Sequence, residues 1–120
     1  MSEMNAIITA ASLSIGHYNS LSMDITVERP DGSFQGFGGY CLAKPDSEEI
    51  TPDYTGTYIL KMLKVTDCKD IESMVGKAVR ISLDNDRIIG IGHIIKNIWF
   101  YPQQEFERIK KEFKEQTKWL

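Results

Sequence analysis

Arginine and histidine are the side chains of this sequence with the most to offer chemically, and both are scarce. The four arginines are Arg29, Arg80, Arg87 and Arg108, and the two histidines are His17 and His93. A guanidinium fork matches the oxygens of a phosphate, and a neighbouring aromatic ring can stack a base, so arginines close to aromatics could clamp a phosphate-bearing ligand. Arg29 precedes a turn near Phe34. Arg80 stands alone between Val79 and Ile81, and so has to face water, a partner or a ligand. Arg108 lies in a charged C-terminal stretch. The plain alternative for each is a solvated surface arginine. His17 reads as a turn residue and His93 as a hydrogen-bonded strand residue, with proton transfer or metal binding the less ordinary role. Nothing in the spacing sets Cys41 beside His93, and the carboxylates are scattered, so no nucleophile-base set or glycosidase-like pair emerges.

A second feature is loss of side chains. "SFQGFGGYCL" (33–42) alternates like a strand, yet Gly36, Gly38 and Gly39 fall within four positions. Glycine inside a strand marks a bulge, a bend or a close approach of other matter to the backbone. A dinucleotide-binding loop has glycines too, but it must open a helix whose N-terminus holds the pyrophosphate, and these glycines continue a hairpin. "RIIGIGHII" (87–95) repeats the thinning at Gly90 and Gly92.

The elements that carry these residues follow from periodicity. "NAIITAASLS" (5–14) is apolar and β-permissive, with turn material at Gly16 and Asn19. "LSMDITVER" (21–29) alternates, Leu21, Met23, Ile25 and Val27 against Ser22, Asp24, Thr26 and Glu28. Pro30-Asp31-Gly32 then turns the chain into 33–42. A two-residue loop at Asp31-Gly32 pairs Val27 with Gly36 and Ile25 with Gly38, and sends Phe37 to the polar face. A three-residue loop with a bulge would invert that register. "TYILKMLKVTD" (57–67) carries a helical stripe of Tyr58, Ile59, Met62 and Leu63, with Thr51 or Thr55 as N-cap candidates. A short turn stopped by Gly76 leads to a second hairpin, "KAVRISL" and "RIIGIGHII". Pro102 starts a terminal helix with Phe106, Ile109 and Phe113 on one stripe. The expectation is one α+β domain, 1–120, in the order β-β-β-α-β-β-α, built from antiparallel hairpins packed with two helices.

With 120 residues, 42% hydrophobic and 26% charged, the chain can bury one core without staples. A net charge of −3 disfavours broad capture of nucleic acid. No apolar run approaches the roughly 18 residues of a membrane span, and the N-terminus lacks the pattern of a secretory signal. A cytoplasmic protein with Cys41 and Cys68 as free thiols is expected.

"GSFQGFGGYCL" (32–42) and "IGHIIKNIWF" (91–100), with "VGKAVRI" (75–81) between them, resemble a family of small phage and prophage proteins. Its recurring marks are a G-x-G-Q-G-F-G-G-Y strand and an I-G-H-x-x-K-D-x-W-F segment. Gln35, Gly36, Phe37, Gly38, Gly39, Tyr40, Ile91, Gly92, His93, Lys96, Trp99 and Phe100 carry the likeness. Ser33-Phe34 depart from the glycine and small residue usual before the glutamine, and Asn97 stands where Asp is common. Such phage proteins include inhibitors of bacterial defence, and the chain is similar in kind to the anti-Thoeris sponges, which sequester a cyclic ADP-ribose-like signal. The resemblance implies a non-catalytic, homo-oligomeric protein of the infected cell's cytoplasm that needs no cofactor and holds a small nucleotide-derived ligand. On that reading Arg29, Arg80 and Arg108 contact phosphates, and Phe37, Trp99 or Phe100 stacks the base. A protein-interaction module using Phe37 and the terminal helix, with no small ligand, is the alternative. An enzyme using His93 is a third.

Overall fold

The computed structural model describes residues 2–119, without the side chain of His17. Among these residues six strands form one antiparallel sheet: β1 (Ser2–Ile15), β2 (Leu21–Glu28), β3 (Phe34–Phe37), β4 (Ala78–Asp84), β5 (Arg87–His93) and β6 (Trp99–Phe100). Their spatial order is β3-β2-β1-β4-β5-β6. Helix α1 (Tyr54–Thr66) and helix α2 (Pro102–Thr117) complete an α+β fold. The expected element order holds, with β6 as a two-residue addition after the second hairpin.

β1 is long because it serves two neighbours in turn. Its first half, Ser2–Ile7, pairs with β4, and its second half, Ile7–Ile15, pairs with β2. The register against β2 shifts between Ile8 and Ala10, a bulge that keeps Ile8 and Ala11 on the same inner side. Ile8, Met23, Val27, Val79, Ile81 and Ile91 form the sheet's share of the core, as the two-residue period requires. α1 closes over them with Tyr58, Met62 and Val65 fully buried, each contributing about 1.5–3 kcal/mol. The Asp53 carboxylate caps its N-terminus by accepting the Gly56 N–H at 2.8 Å, a role the sequence suggested for Thr51 or Thr55. Asp67, at φ 56°, ends it with its N–H turned back onto Leu63 and Lys64.

The β2–β3 hairpin corrects the expected register. Arg29 N–H donates to the Ser33 carbonyl at 2.8 Å and Gly32 N–H to the Arg29 carbonyl at 2.9 Å, which encloses a three-residue loop, Pro30-Asp31-Gly32. Gly32 at φ 85° supplies the left-handed residue of the bulge that such a loop needs. Ile25 therefore opposes Phe37, and Thr26 opposes Gly36. Phe37 turns inward and is 5% exposed, so it does not sit on the polar face. The expected strand also stops early. At Gly38 (φ 138°) and Gly39 (φ 76°) the chain leaves the sheet, and it rejoins β2 only through the Leu21–Ala43 bridge.

The aromatic residues lock the helices to the sheet. Tyr58 meets Phe100 edge to face at 5.0 Å, and Phe106 of α2 meets Tyr40 and Tyr54 at 5.4 and 5.3 Å. Burial pushes the Tyr58 phenol far above its ordinary range, with Tyr40 and Asp24 adding to the shift, so the ring is neutral in the folded protein. Partial burial opposes ionisation of Glu105, but the hydrogen bond from Arg108 and the charge of Lys61 outweigh it and hold the carboxyl below its usual value. Among the described residues no helix is long and apolar enough to cross a membrane.

Candidate functional site

Because the helices take the inner face, the outer face of the sheet is where strand residues meet solvent. Register sets two adjacent rows of outward side chains there. One runs Glu28, Ile7, Ala78 across β2, β1 and β4, and the next runs Asn5, Arg80, Gly92, Trp99 across β1, β4, β5 and β6. Between them lies a shallow depression of about 390 Å³ lined by Asn5, Ile7, Glu28, Arg29, Ala78 and Ile94, among others. Its floor is apolar. Ile7 remains 49% exposed, an unusual place for an isoleucine in the middle of a sheet.

Arg80 lies next to this area, opposite the lining residue Asn5. Its guanidinium carbon lies 4.8 Å from the Trp99 ring centroid, and Trp99 in turn stacks on Tyr101 at 5.8 Å and 22°. Gly92 and Gly90 make that stack possible. A Cβ at Gly92 would come within 2.7 Å of the Trp99 ring, and one at Gly90 within 2.5 Å of Tyr101. Arg80 Nε donates to the His93 carbonyl and Nη2 to the Lys96 carbonyl, both at 2.7 Å. His93 Nδ1 accepts the N–H groups of Ile95 and Lys96 at 3.1 and 3.0 Å. The two side chains thus build the 93–96 loop between them. With its Nδ1 lone pair so engaged, His93 is occupied as a structural acceptor.

The other proposed contacts disperse. Phe100 is 1% exposed on the inner face against Tyr58, and Phe37 is likewise core, so neither ring can stack a ligand. Alternation explains both: Phe100 opposes Ile91 and Phe37 opposes Ile25, each an inward residue. Arg108 lies on α2, engaged with Glu105 at 2.6 Å and Glu112 at 3.0 Å on the same helix and away from the outer face. Arg29 borders the depression, but its Nη1 bonds Asp86 Oδ1 at 2.9 Å and Gln35 Oε1 at 3.2 Å. Gln35 Nε2 also donates to the Asp86 carbonyl at 2.7 Å, so Arg29 and Gln35 brace the β2–β3 hairpin against the β4–β5 turn. Arg29 Nε is buried without a partner among the described residues, a desolvation cost left standing beside the depression.

Two of the six expected residues, Arg80 and Trp99, therefore meet, and Arg29 reaches the rim. Ile7, Ala78 and Tyr101 join them without having been expected as site residues. Ile7 sits in the run Ala6-Ile7-Ile8, where a continuous apolar string hides which residue faces out. Tyr101 had a signal in the Gly-x-Gly of β5, which marks rows a ring can lie across. A second hollow, of about 460 Å³, lies at the foot of the β1–β2 hairpin and is lined by Ser14, Ser20, Ser22, Asp24, Gly39 and Tyr40, among others. Its one carboxylate is spent: Asp24 accepts the Gly39 N–H at 2.6 Å and the Ser22 hydroxyl at 2.8 Å. Burial raises the Tyr40 phenol above its ordinary value, with Arg87 opposing the shift. Cys41 and Cys68 are free thiols. Among the described residues, no group of three or more His, Cys, Asp or Glu is close enough to hold a metal ion.

What the outer face offers is an apolar floor, a polar rim and a cation seated on a ring. No family model, no curated protein and no solved structure matches the chain.

Proposed function

We propose that the protein is a non-catalytic binding protein, phage-encoded and acting in the cytoplasm of the infected bacterium, that sequesters a nucleotide-derived immune signal of the cyclic ADP-ribose kind. The observation that carries the reading is Arg80 seated on Trp99 beside the Ile7-floored depression. Arg80 Nη1 has no protein partner among the described residues, which leaves a charged donor for a phosphate oxygen on the strand position opposite Asn5, a residue that lines the hollow. The likeness to small phage proteins supplies the ligand class, and affinity without turnover needs no acid-base set.

Incubation with a cyclic ADP-ribose-type nucleotide, followed by ultrafiltration, tests it. The expected result is depletion of the free nucleotide by the native protein, recovery of the intact nucleotide on heat denaturation, and at least a tenfold loss of depletion in Ile7→Glu, which puts a carboxylate on the floor. Return of a chemically altered nucleotide would overturn the non-catalytic reading.

A second reading, a protein-interaction module without a small ligand, keeps the terminal helix as its surface but loses Phe37, which is core. What favours it is that Trp99, the remaining candidate ring, is already covered by Arg80 and Tyr101. No depletion at all would favour it.

A further inference from the structure

The sheet has an edge in its middle. Pairing of β1 with β4 ends at Ile7 and Ala78, and one more exchange joins Ile8 to Lys77 and Gly76. Beyond it, residues 10–15 of β1 have β2 on one side and, among the described residues, no strand on the other. Gly16 N–H donates to the Ser20 carbonyl at 3.0 Å, so by alternation Ser14, Ser12 and Ala10 direct their backbone groups to β2. Ala11, Leu13 and Ile15 direct theirs outward. Leu13 and Ile15 are 40% and 57% exposed. From Asn5 to Gly16 the strand has no charged residue and no proline, the usual protections of a free edge. The outer strands of the sheet are protected differently, by being only four and two residues long, as β3 and β6 are.

We infer that this edge pairs with the same edge of a second copy of the chain, antiparallel about a two-fold axis at Leu13. The sequence fits its own reverse. Leu13 meets Leu13, Ile15 meets the small Ala11 on either side of it, and Ser12 meets Ser14 on the opposite face. In a two-fold contact residue i meets j and j meets i, so only Leu13 meets its own copy, and with no charged residue from Asn5 to Gly16 the pairing brings no like charges together. About six backbone hydrogen bonds form from groups now facing water. Two projecting two-stranded arms, each marginal alone, become one four-stranded sheet. The contact is small, so the dimer is dependent on concentration.

Sedimentation velocity on the full chain, between about 1 and 100 µM, reads the outcome at the low-area end of specific interfaces. The native protein is expected to move from the 13.7 kDa chain towards twice that mass as concentration rises. Leu13→Lys and Leu13→Glu should each stay monomeric, because like charges meet at the axis, and an equimolar mixture of the two should regain the dimer. Leu13→Pro removes one outward N–H without touching the β2 ladder, and gives a second monomer should the charged variants fold poorly. A native protein that is monomeric throughout the range overturns the inference. Dimers that persist in both Leu13→Lys and Leu13→Pro also overturn it. Nucleotide depletion is read separately, so a monomer that still binds removes the dimer and leaves the ligand reading intact.

Discussion

The two glycine-thinned strands look alike on paper and do different work. In β5 the glycines lie under rings: Gly92 carries Trp99 and Gly90 carries Tyr101, and both keep ordinary strand conformation. At the end of β3 the glycines serve the backbone itself. Gly38 takes φ 138° with the Met23 carbonyl 2.6 Å from where its Cβ would be, and Gly39 takes φ 76° to present its N–H to Asp24. One strand gives up side chains so that aromatics can approach, and the other so that the chain can leave the sheet. The same residue type answers a packing demand in one place and a conformational demand in the other.

The two uses of glycine differ most at Gly38. Alanine there meets two immovable obstacles, a φ foreign to L-residues and a backbone oxygen, so Gly38→Ala should lose about 3 kcal/mol or more in urea unfolding. Gly92→Ala should lose less, about 1–2 kcal/mol, because the obstacle is the Trp99 indole ring, a side chain that can lift, and not backbone. Its signature is spectroscopic: the Trp99 ring moves away from Arg80 and Tyr101, which changes near-ultraviolet circular dichroism and tryptophan emission at native conditions. Gly38→Ala should leave those signals of the folded state in place. A shift of the tryptophan signals in Gly38→Ala, or their constancy in Gly92→Ala, would erase the distinction.

How much of this was legible beforehand depends on whether local or non-local contacts decide it. The alternation of β2, the hairpin that joins β4 to β5 and the proline that opens α2 are local, and the element order follows from them. The direction of Phe37 depended on one residue of loop length at Pro30-Asp31-Gly32. Both loops suit that sequence, and the three-residue form wins by placing Gly32 at φ 85° and Phe37 in the core. Phe100 and Trp99 are adjacent, and only pairing with β5 decides that Trp99 goes out over Gly92 while Phe100 goes in against Ile91. The cation partner of Trp99 comes from β4, two strands away, so the Arg80–Trp99 pair was invisible until the sheet order was known. Ile7 shows the same limit, since its exposure follows from β1 being shared between β4 and β2.

Gly36 is the glycine that neither explanation covers. It opposes Thr26 on the outer face, it is absent from the positive-φ residues, and a Cβ built on it meets no atom within 4 Å. Substitution by a β-branched residue should therefore relieve the entropy cost of glycine and add a cross-strand neighbour for Thr26, so Gly36→Thr is expected to stabilise the fold by about 0.5–1 kcal/mol in urea unfolding. Loss of stability would mean that the strand ladder itself needs the bare position, and would move Gly36 into the class of Gly38. A Gly36→Thr protein that is more stable yet loses nucleotide depletion would place the reason for the glycine outside the chain, because the only thing then displaced by the new methyl and hydroxyl groups is whatever approaches the outer face from solution.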